Sequence, residues 1–240
     1  MMTWNIDAVT RGTGDCTFVL PHVLSHHVVC LQEVTPAVVE WLTEQLPDTY
    51  TVLTPQRQAG RAWPHEGHDV AMVIDSQSLV LRSCKVVPLE SEQQRCVFIA
   101  KLLCLRSGSM LVVGTAHLES GKKPKPYNLR VLQLRSALSV VDGPTSGCSV
   151  LAGDLNLREW EWNVAKVVWE CRDGSVGGRV GRGARELAPL VTVWAHGGSA
   201  EGYGDVVMVV WVAREVWGTG RRGGRGAQGS RHVRDSVSPL

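Results

Sequence analysis

Short runs of apolar and β-branched residues recur along the first two thirds of this 240-residue chain, and polar residues bound each run. Runs of this kind are typical of buried β-strands rather than of surface helices, whose apolar residues recur every three or four positions. We therefore predict strands at Val28 to Leu31, Val70 to Ile74, Val97 to Leu105, Leu111 to Thr115 and Ser149 to Ala152.

Two segments between these strands carry helix signals. Thr35 and Pro36 supply a capping residue and a proline suited to a first helical turn, which predicts a helix that continues to Leu46. A second helix is predicted from about Asn128 to Val141, where apolar residues fall on one stripe. Strands separated by helices predict an α/β domain, with a mixed sheet or two packed sheets flanked by helices.

Polar side chains suited to phosphate chemistry stand at the ends of the strand-like runs. They are Asn5, Glu33, His117, Asp154 and Asn156. One carboxylate suits a hard divalent cation, a second can orient water, and amide and imidazole groups can contact phosphate oxygens. Asp154 and Asn156 alternate along the chain, so we expect both side chains to point the same way. The set predicts a site that hydrolyses phosphodiesters.

Four short motifs carry a family resemblance. In chain order they are T-W-N-I from Thr3, L-Q-E-V from Leu31, H-L-E-S from His117 and G-D-L-N-L-R from Gly153. Their order and wording resemble the endonuclease/exonuclease/phosphatase superfamily over roughly residues 2–158. The resemblance implies two packed mixed or antiparallel sheets flanked by helices, the DNase I-like four-layer sandwich. We expect this sandwich to be incomplete at its C-terminal end.

The resemblance assigns a role to each strand-end residue. Glu33 corresponds to the metal ligand, which implies Mg²⁺ as cofactor and Mn²⁺ as its alternative. Asp154 would hold the attacking water, and Asn5 would position phosphate and metal. His117 and Asn156 would contact phosphate oxygens and complete the catalytic set.

A DNA-contacting surface is also implied by the resemblance, around the same strand ends. Its members are Asn5, Ile6, Asp7, His117, Leu118, Glu119, Ser120, Asn156, Leu157 and Arg158. The lysine-rich segment from Gly121 to Pro126 is either a further phosphate contact or an exposed flexible loop.

The L-R pair at Leu157 and Arg158 favours one branch of the superfamily, the tyrosyl-DNA phosphodiesterases, over the apurinic endonucleases. That branch implies hydrolysis of the 5′-phosphotyrosyl bond between a trapped topoisomerase and DNA. A tyrosine leaving group has a pKa of about 10, so a strong general acid is less necessary. The alternatives are another metal-dependent nuclease or phosphatase of the superfamily, or a catalytically dead product.

Composition bounds the partners and the compartment. A net charge of +2 and a pI near 8.2 are too mild to indicate nucleic-acid binding alone. The seven cysteines have no C-x-x-C spacing, which predicts reduced thiols in an intracellular protein. The resemblance implies the nucleus, with the cytoplasm as alternative. We expect no membrane partner, because no signal peptide opens the chain and the run Val206 to Val212 is too short. The oligomeric state stays open.

The composition changes near residue 172. The last 69 residues hold 15 of the 25 glycines and lack lysine, isoleucine, asparagine and phenylalanine. We predict a partial domain at residues 1–171 and a tail at 172–240 that is disordered or a non-native reading, such as translated intron. The chain has no Asp-His dipeptide, which the family carries on its closing strand, and His196 and His232 stand in the wrong context. Loss of that strand predicts an exposed sheet edge.

Overall fold

The computed structural model describes residues 1–8, 14–121, 124–141, 148–157, 191–195 and 206–213, which form two β-sheets. The first sheet has four strands in the order β1-β2-β4-β3. They are β1 (Met2–Asn5), β2 (Val28–Val34), β3 (Tyr50–Leu53) and β4 (Asp69–Asp75). The second has six strands in the order β5-β6-β7-β8-β10-β9. They are β5 (Leu79–Pro88), β6 (Cys96–Cys104), β7 (Met110–His117), β8 (Cys148–Asp154), β9 (Val191–Ala195) and β10 (Val206–Ala213).

Helices connect several of these strands. They are a 3₁₀ helix (Gly14–Phe18), α1 (Val19–Leu24), α2 (Pro36–Gln45), α3 (Pro55–Ala59) and α4 (Pro124–Val141). Helix α2 begins as predicted, because the Thr35 side chain accepts a hydrogen bond from the backbone N–H of Val38 at 3.4 Å. None of the helices in the described residues is long and apolar enough to cross a membrane.

Each sheet is mixed. Strand β1 pairs parallel to β2, and β7 pairs parallel to β8, while the other neighbouring strands are antiparallel. All five predicted strands and both predicted helices are confirmed, and α4 begins four residues earlier than expected, at Pro124. The list of predicted strands omits β1, β3, β5, β9 and β10. Strand β5 is half exposed and carries Arg82 and Lys85, so it lacks a continuous apolar run.

Alternation along the strands separates three hydrophobic layers. Cys30 and Met72 of the first sheet face Phe98 and Val150 of the second, and these side chains form the core between the sheets. The neighbouring residue Leu31 points the other way, toward the helices that cover the first sheet.

The two outer layers are helical. Val38 and Leu42 of α2 pack on the outer face of the first sheet. Leu134 and Leu138 of α4 pack on the outer face of the second. The order helix, sheet, sheet, helix confirms the predicted four-layer α/β sandwich.

The end of the second sheet differs from the expectation. Strand β10 pairs antiparallel to β8, with Val207 opposite Asp154, and β9 pairs with β10. Among the described residues β8 therefore has a partner on this side, although loss of the closing strand was expected to expose a sheet edge. The physical reason is the apolar run V-V-M-V-V-W-V-A of β10, which is suited to a strand. Gly218 to Gly229, for which disorder was expected, lie outside the described residues, as do His196 and His232.

Candidate active site

Four strands bring their carboxyl ends to one edge of the sandwich. In the first sheet Asn5 at the end of β1 lies beside Gln32, next to Glu33 of β2. In the second sheet His117, the last residue of β7, lies opposite Asp154, the last residue of β8. Parallel pairing explains this meeting, because parallel strands end at the same edge.

The side-chain amide of Asn5 joins the two sheets at this edge. Its Nδ2 donates to Glu33 Oε1 at 2.9 Å and to Asp154 Oδ2 at 2.8 Å. Its Oδ1 accepts from the backbone N–H of Asp7 at 3.0 Å. The orientation of the amide is therefore fixed, and Asn5 holds two carboxylates side by side.

The backbone around these carboxylates is strained. Among the described residues, non-glycine residues with positive φ are Asp7 (49°), Glu33 (57°), Gln94 (55°) and Asn156 (50°). Glu33 also lies where the pairing of β2 with β4 shifts register, between Leu31 and Val34. Such conformations cost about 1–3 kcal/mol each and cluster at functional sites. At Glu33 the irregular backbone leaves a partly exposed carboxylate, with 22% of the side chain accessible.

His117 lies next to these carboxylates and is buried. Its Nε2 is 3.8 Å from Glu33 Oε1 and 3.6 Å from Asp154 Oδ2, and its Nδ1 is 3.2 Å from Arg95 Nη1. A guanidinium can only donate, so Nδ1 accepts and we assign the ring hydrogen to Nε2. Burial, followed by the charges of Arg95 and His68, lowers the pKa of His117 well below 6.5. The ring is therefore a neutral donor aimed at the carboxylates.

Arg95 and His68 lie next to His117, and no sequence pattern predicted either residue. Arg95 is 6% exposed and His68 is 9% exposed, and both lie close to Glu66, whose Oε2 is 3.4 Å from each. They lie in irregular segments before β4 and β6, where polar residues are ordinarily solvated. Only their packing across the chain distinguishes them, so no local signal could have identified them.

The H-L-E-S segment after β7 is held by a buried polar network. Glu119 Oε2 accepts from Ser91 Oγ at 2.6 Å and from Gln133 Nε2 at 3.2 Å. Arg130 Nη1 donates to the backbone oxygen of Gly121 at 2.9 Å. The R-x-x-Q pair of α4 therefore fixes the loop that follows His117.

The donor set at this edge fits a hard divalent cation. Magnesium takes one or two carboxylates together with water and phosphate oxygens. Glu33 offers a partly exposed carboxylate, and Asn5 holds the buried Asp154 carboxylate beside it. Ligand atoms of Glu33, His68 and His117 also lie within 4.8 Å of one another.

Comparison with known proteins supports the motif resemblance. No protein-family model matches the chain. It is 29% identical over 174 residues to tyrosyl-DNA phosphodiesterase 2 of Xenopus laevis, an alignment that covers 69% of this chain. The chain resembles the endonuclease/exonuclease/phosphatase superfamily in sequence and in fold. It spans 42% of the length of the Xenopus protein.

Solved structures of D. rerio TDP2 share the fold. One, humanized by 14 mutations, has a TM-score of 0.59 at 22% identity, and one complexed with single strand DNA product has 0.57 at 20%. Each match covers 88% of this chain and 96% of the other. An endonuclease/exonuclease/phosphatase family protein from Bacteroides thetaiotaomicron has a TM-score of 0.54 at 16% identity, covering 70% of this chain and 67% of that chain.

Several side chains of the predicted DNA surface do not face solvent. Ile6, Leu118 and Leu157 are at most 4% exposed and belong to the hydrophobic core, so the structure does not present their side chains to DNA. Glu119 is 2% exposed and engaged in the network described above. These side chains are buried because the three apolar ones pack in the core and the Glu119 carboxylate is hydrogen-bonded inside the protein.

The remaining members of the predicted DNA surface differ in their exposure and hydrogen bonding. Asp7 is partly exposed beside Asn5, whereas Ser120 Oγ lies 2.9 Å from Gln93 Nε2. Asn156 does not continue β8: its positive φ turns the chain, and its Nδ2 donates to the Leu118 oxygen at 3.0 Å. The expected alternation of Asp154 and Asn156 is therefore wrong. Arg158 lies outside the described residues.

Proposed function

We propose that this chain is a divalent-metal-dependent phosphodiesterase that hydrolyses 5′-phosphotyrosyl bonds in DNA, with Mg²⁺ or alternatively Mn²⁺ as cofactor. The observation that carries the proposal is the Asn5 amide, which bridges the carboxylates of Glu33 and Asp154. The His117 ring faces the same two carboxylates. Similarity to TDP2, one of whose structures holds single strand DNA product, supports a DNA substrate.

Each residue has a defined task in this reaction. Glu33 would hold the cation, which when bound polarises a phosphoryl oxygen. Asp154 orients the attacking water and accepts its proton, while Asn5 keeps both carboxylates in place. His117 donates from Nε2 to a phosphoryl oxygen and carries no charge of its own.

The bond changes balance without a strong general acid. A bond forms between the water oxygen and phosphorus, and the bond between phosphorus and the tyrosyl oxygen breaks. The tyrosinate leaves with its electron pair, because a phenol with a pKa of about 10 is a competent leaving group. The products are a 5′-phosphate on DNA and a free tyrosine side chain.

The finer substrate assignment rests on the sequence. Leu157 and Arg158 follow Asn156 in the wording of the tyrosyl-DNA phosphodiesterase branch, which favours a topoisomerase adduct on DNA as the partner. A role in repair of such adducts would place the protein in the nucleus, with the cytoplasm as the alternative.

The test uses a 5′-tyrosyl oligonucleotide, with an abasic-site duplex as the competing substrate. We expect release of tyrosine in Mg²⁺ or Mn²⁺, none in EDTA, and preference for the tyrosyl end. Glu33→Gln should raise the metal concentration required, whereas Glu40→Gln on the exposed side of α2 should not. Undiminished hydrolysis in EDTA would remove the metal mechanism. Better cleavage at abasic sites would move the chain to the endonuclease branch.

A catalytically dead product is the second candidate, and a specific observation favours it. The two strands that close the second sheet, β9 (V-T-V-W-A) and β10 (V-V-M-V-V-W-V-A), carry no histidine. The family's closing Asp-His pair is absent from the whole sequence. We therefore expect weak hydrolysis even with Asn5, Glu33 and Asp154 in place, and the closing strand is tested separately below.

A further inference from the structure

Glu33, His68 and His117 form a cluster that could bind a second kind of metal. One carboxylate and two imidazoles within 4.8 Å match the three protein ligands that zinc and related transition metals commonly take. Such an ion would compete with a hard cation on Glu33. A site reserved for a hard cation therefore needs a feature that disfavours metals with a preference for imidazole ligands.

Arg95 lies against both histidines of this cluster. Its Nη1 is 3.2 Å from Nδ1 of His117 and 3.5 Å from Nε2 of His68. The guanidinium is held there from other directions, since its Nη2 is 3.4 Å from Glu66 Oε2 and 3.2 Å from Gln93 Oε1. With 6% of the residue exposed, the charge has almost no solvent to screen it.

The contact with Arg95 favours the tautomer of His117 that is unsuited to metal binding at Nε2. A histidine that binds a metal through one ring nitrogen ordinarily carries its hydrogen on the other nitrogen and donates it to an acceptor. At His117 the guanidinium donates to Nδ1, so the hydrogen is on Nε2, the atom that faces Glu33. To bind an ion at Nε2, the ring would have to move its hydrogen to Nδ1, where it would oppose the guanidinium N–H, or lose that hydrogen and become anionic.

The charge of Arg95 opposes the same ion. A dication among the three ligands would lie close to the buried guanidinium, and Glu66, 3.4 Å from Nη2 and itself partly exposed, offsets only part of that positive charge. The Nε of Arg95 is also buried without a hydrogen-bond partner among the described residues. A buried donor without a partner is unfavourable, so hydrogen bonding alone would not select this arrangement.

We propose that Arg95 is a metal-specificity residue, which denies the Glu33, His68 and His117 cluster to transition metals and reserves Glu33 for a hard cation. The inference rests on the proposed function, because it presumes a hard-cation site at Glu33. It extends that function by naming the residue that selects the metal.

The test measures metal binding without substrate on the full chain. Zn²⁺ affinity is obtained by competition with a chromogenic chelator, and Co²⁺ absorption reports the ligand type. Arg95→Met removes the donors and the charge at similar length, and we expect the Zn²⁺ affinity to rise by about 10-fold to 100-fold. Adding His68→Asn to that variant should abolish the gain. Arg57→Met, an exposed arginine on α3, should leave affinity unchanged.

A second variant covers the case in which Arg95→Met fails to fold, which a thermal melt detects. Arg95→Gln removes the charge and offers an amide oxygen to Nδ1–H of His117, so it should also increase Zn²⁺ affinity. Equal affinity of the wild type and both variants overturns the proposal. A gain that survives His68→Asn, or that shows cobalt–thiolate absorption, overturns it as well. Absence of tyrosyl hydrolysis would count against the proposed function only, since this readout contains no substrate.

Discussion

The two sheets supply the site with groups in different surroundings. The first sheet presents Glu33 on an irregular strand end with 22% of its side chain exposed, whereas the second sheet holds His117 and Asp154 with 4% and 2% exposed. A partly exposed carboxylate can take exchangeable ligands such as a cation and its waters. Buried groups keep a fixed orientation and interact strongly because water is excluded. Under the proposed function, cation binding and proton transfer would therefore be divided between the two sheets.

The division depends on contacts between the sheets. Asn5 of the first sheet reaches Asp154 of the second, and Gln32 donates to Thr115 Oγ1 at 3.2 Å beneath the site. The core between the sheets fixes their spacing. The packing of the two sheets therefore determines the relative positions of the side chains in the site.

The largest effect is expected on the buried side. Asp154→Asn would remove the proposed general base, and general-base catalysis is worth about 10²–10⁴-fold. We expect hydrolysis of the tyrosyl oligonucleotide to fall by that factor and not to recover at high Mg²⁺. Glu33→Gln, in contrast, should recover partly at high Mg²⁺. Equal rescue of the two variants would contradict the division between the sheets.

The closing strand gives the next largest effect. A chimera that replaces residues after Arg158 with the closing strands of an intact relative would restore the missing histidine. Loss of one preorganised donor typically costs about 10²–10³ in rate, so the chimera should gain activity by that factor. The measurement is kcat/KM on the tyrosyl oligonucleotide, with a thermal melt for each chain. Equal activity of the unmodified chain would show that β9, β10 or the neighbouring segments supply the missing group.

Patterns within short segments of the sequence predicted individual strands and helices, but not how the strands pair. Apolar runs predicted β2, β4, β6, β7 and β8, and polar residues at the ends of β2, β7 and β8 were predicted as members of the site. The pairing of β10 with β8 was missed, because an apolar run does not reveal its partner. Asn156 was oriented wrongly because the strand ends at Asp154 and the next residues turn through positive φ.

The positions of Arg95 and His68 in the site could not be predicted, because they too depend on contacts between distant segments. Arg95 contacts His68 and His117, which are 27 and 22 residues away, and only the packed sandwich brings them together. In the sequence, Arg95 is one charged residue in an irregular segment. The resemblance named the strand-end residues that the structure brings together, whereas their buried neighbours Arg95 and His68 became evident only in the structure.

A smaller effect is expected from the contact between the two parallel strands of the second sheet. A Cβ at Gly153 would collide with the backbone oxygen of Ala116, so Gly153→Ala must push β8 away from β7. We expect a loss of about 1–3 kcal/mol in the free energy of unfolding, typical of overpacking. Urea unfolding checks this, with Ser139→Ala on the exposed side of α4 as a control expected within about 0.5 kcal/mol. Unchanged stability would mean that β7 and β8 can move apart at Gly153 without a cost in free energy.

The smallest effect is the pH dependence contributed by His117. Its pKa is lowered well below 6.5 in the folded chain, chiefly by burial, so the unfolded chain binds the proton more readily. Stability from this group is therefore complete above pH 6.5 and declines as the pH falls below that value. One group contributes at most about 1.4 kcal/mol per pH unit.

Urea unfolding between pH 5 and pH 8 in EDTA measures this slope, in a range of about three pH units that includes the ordinary histidine pKa. We expect His117→Gln to flatten the curve below pH 6.5, and His22→Gln on the exposed surface to retain it. The lowered pKa of Asp75, held down first by its hydrogen bond from Ser78, acts only as the pH falls below 3.8. It therefore does not overlap this range. An unchanged slope in His117→Gln would mean that the ring is not held neutral, and the second sheet would then lack the uncharged donor that distinguishes it from the first.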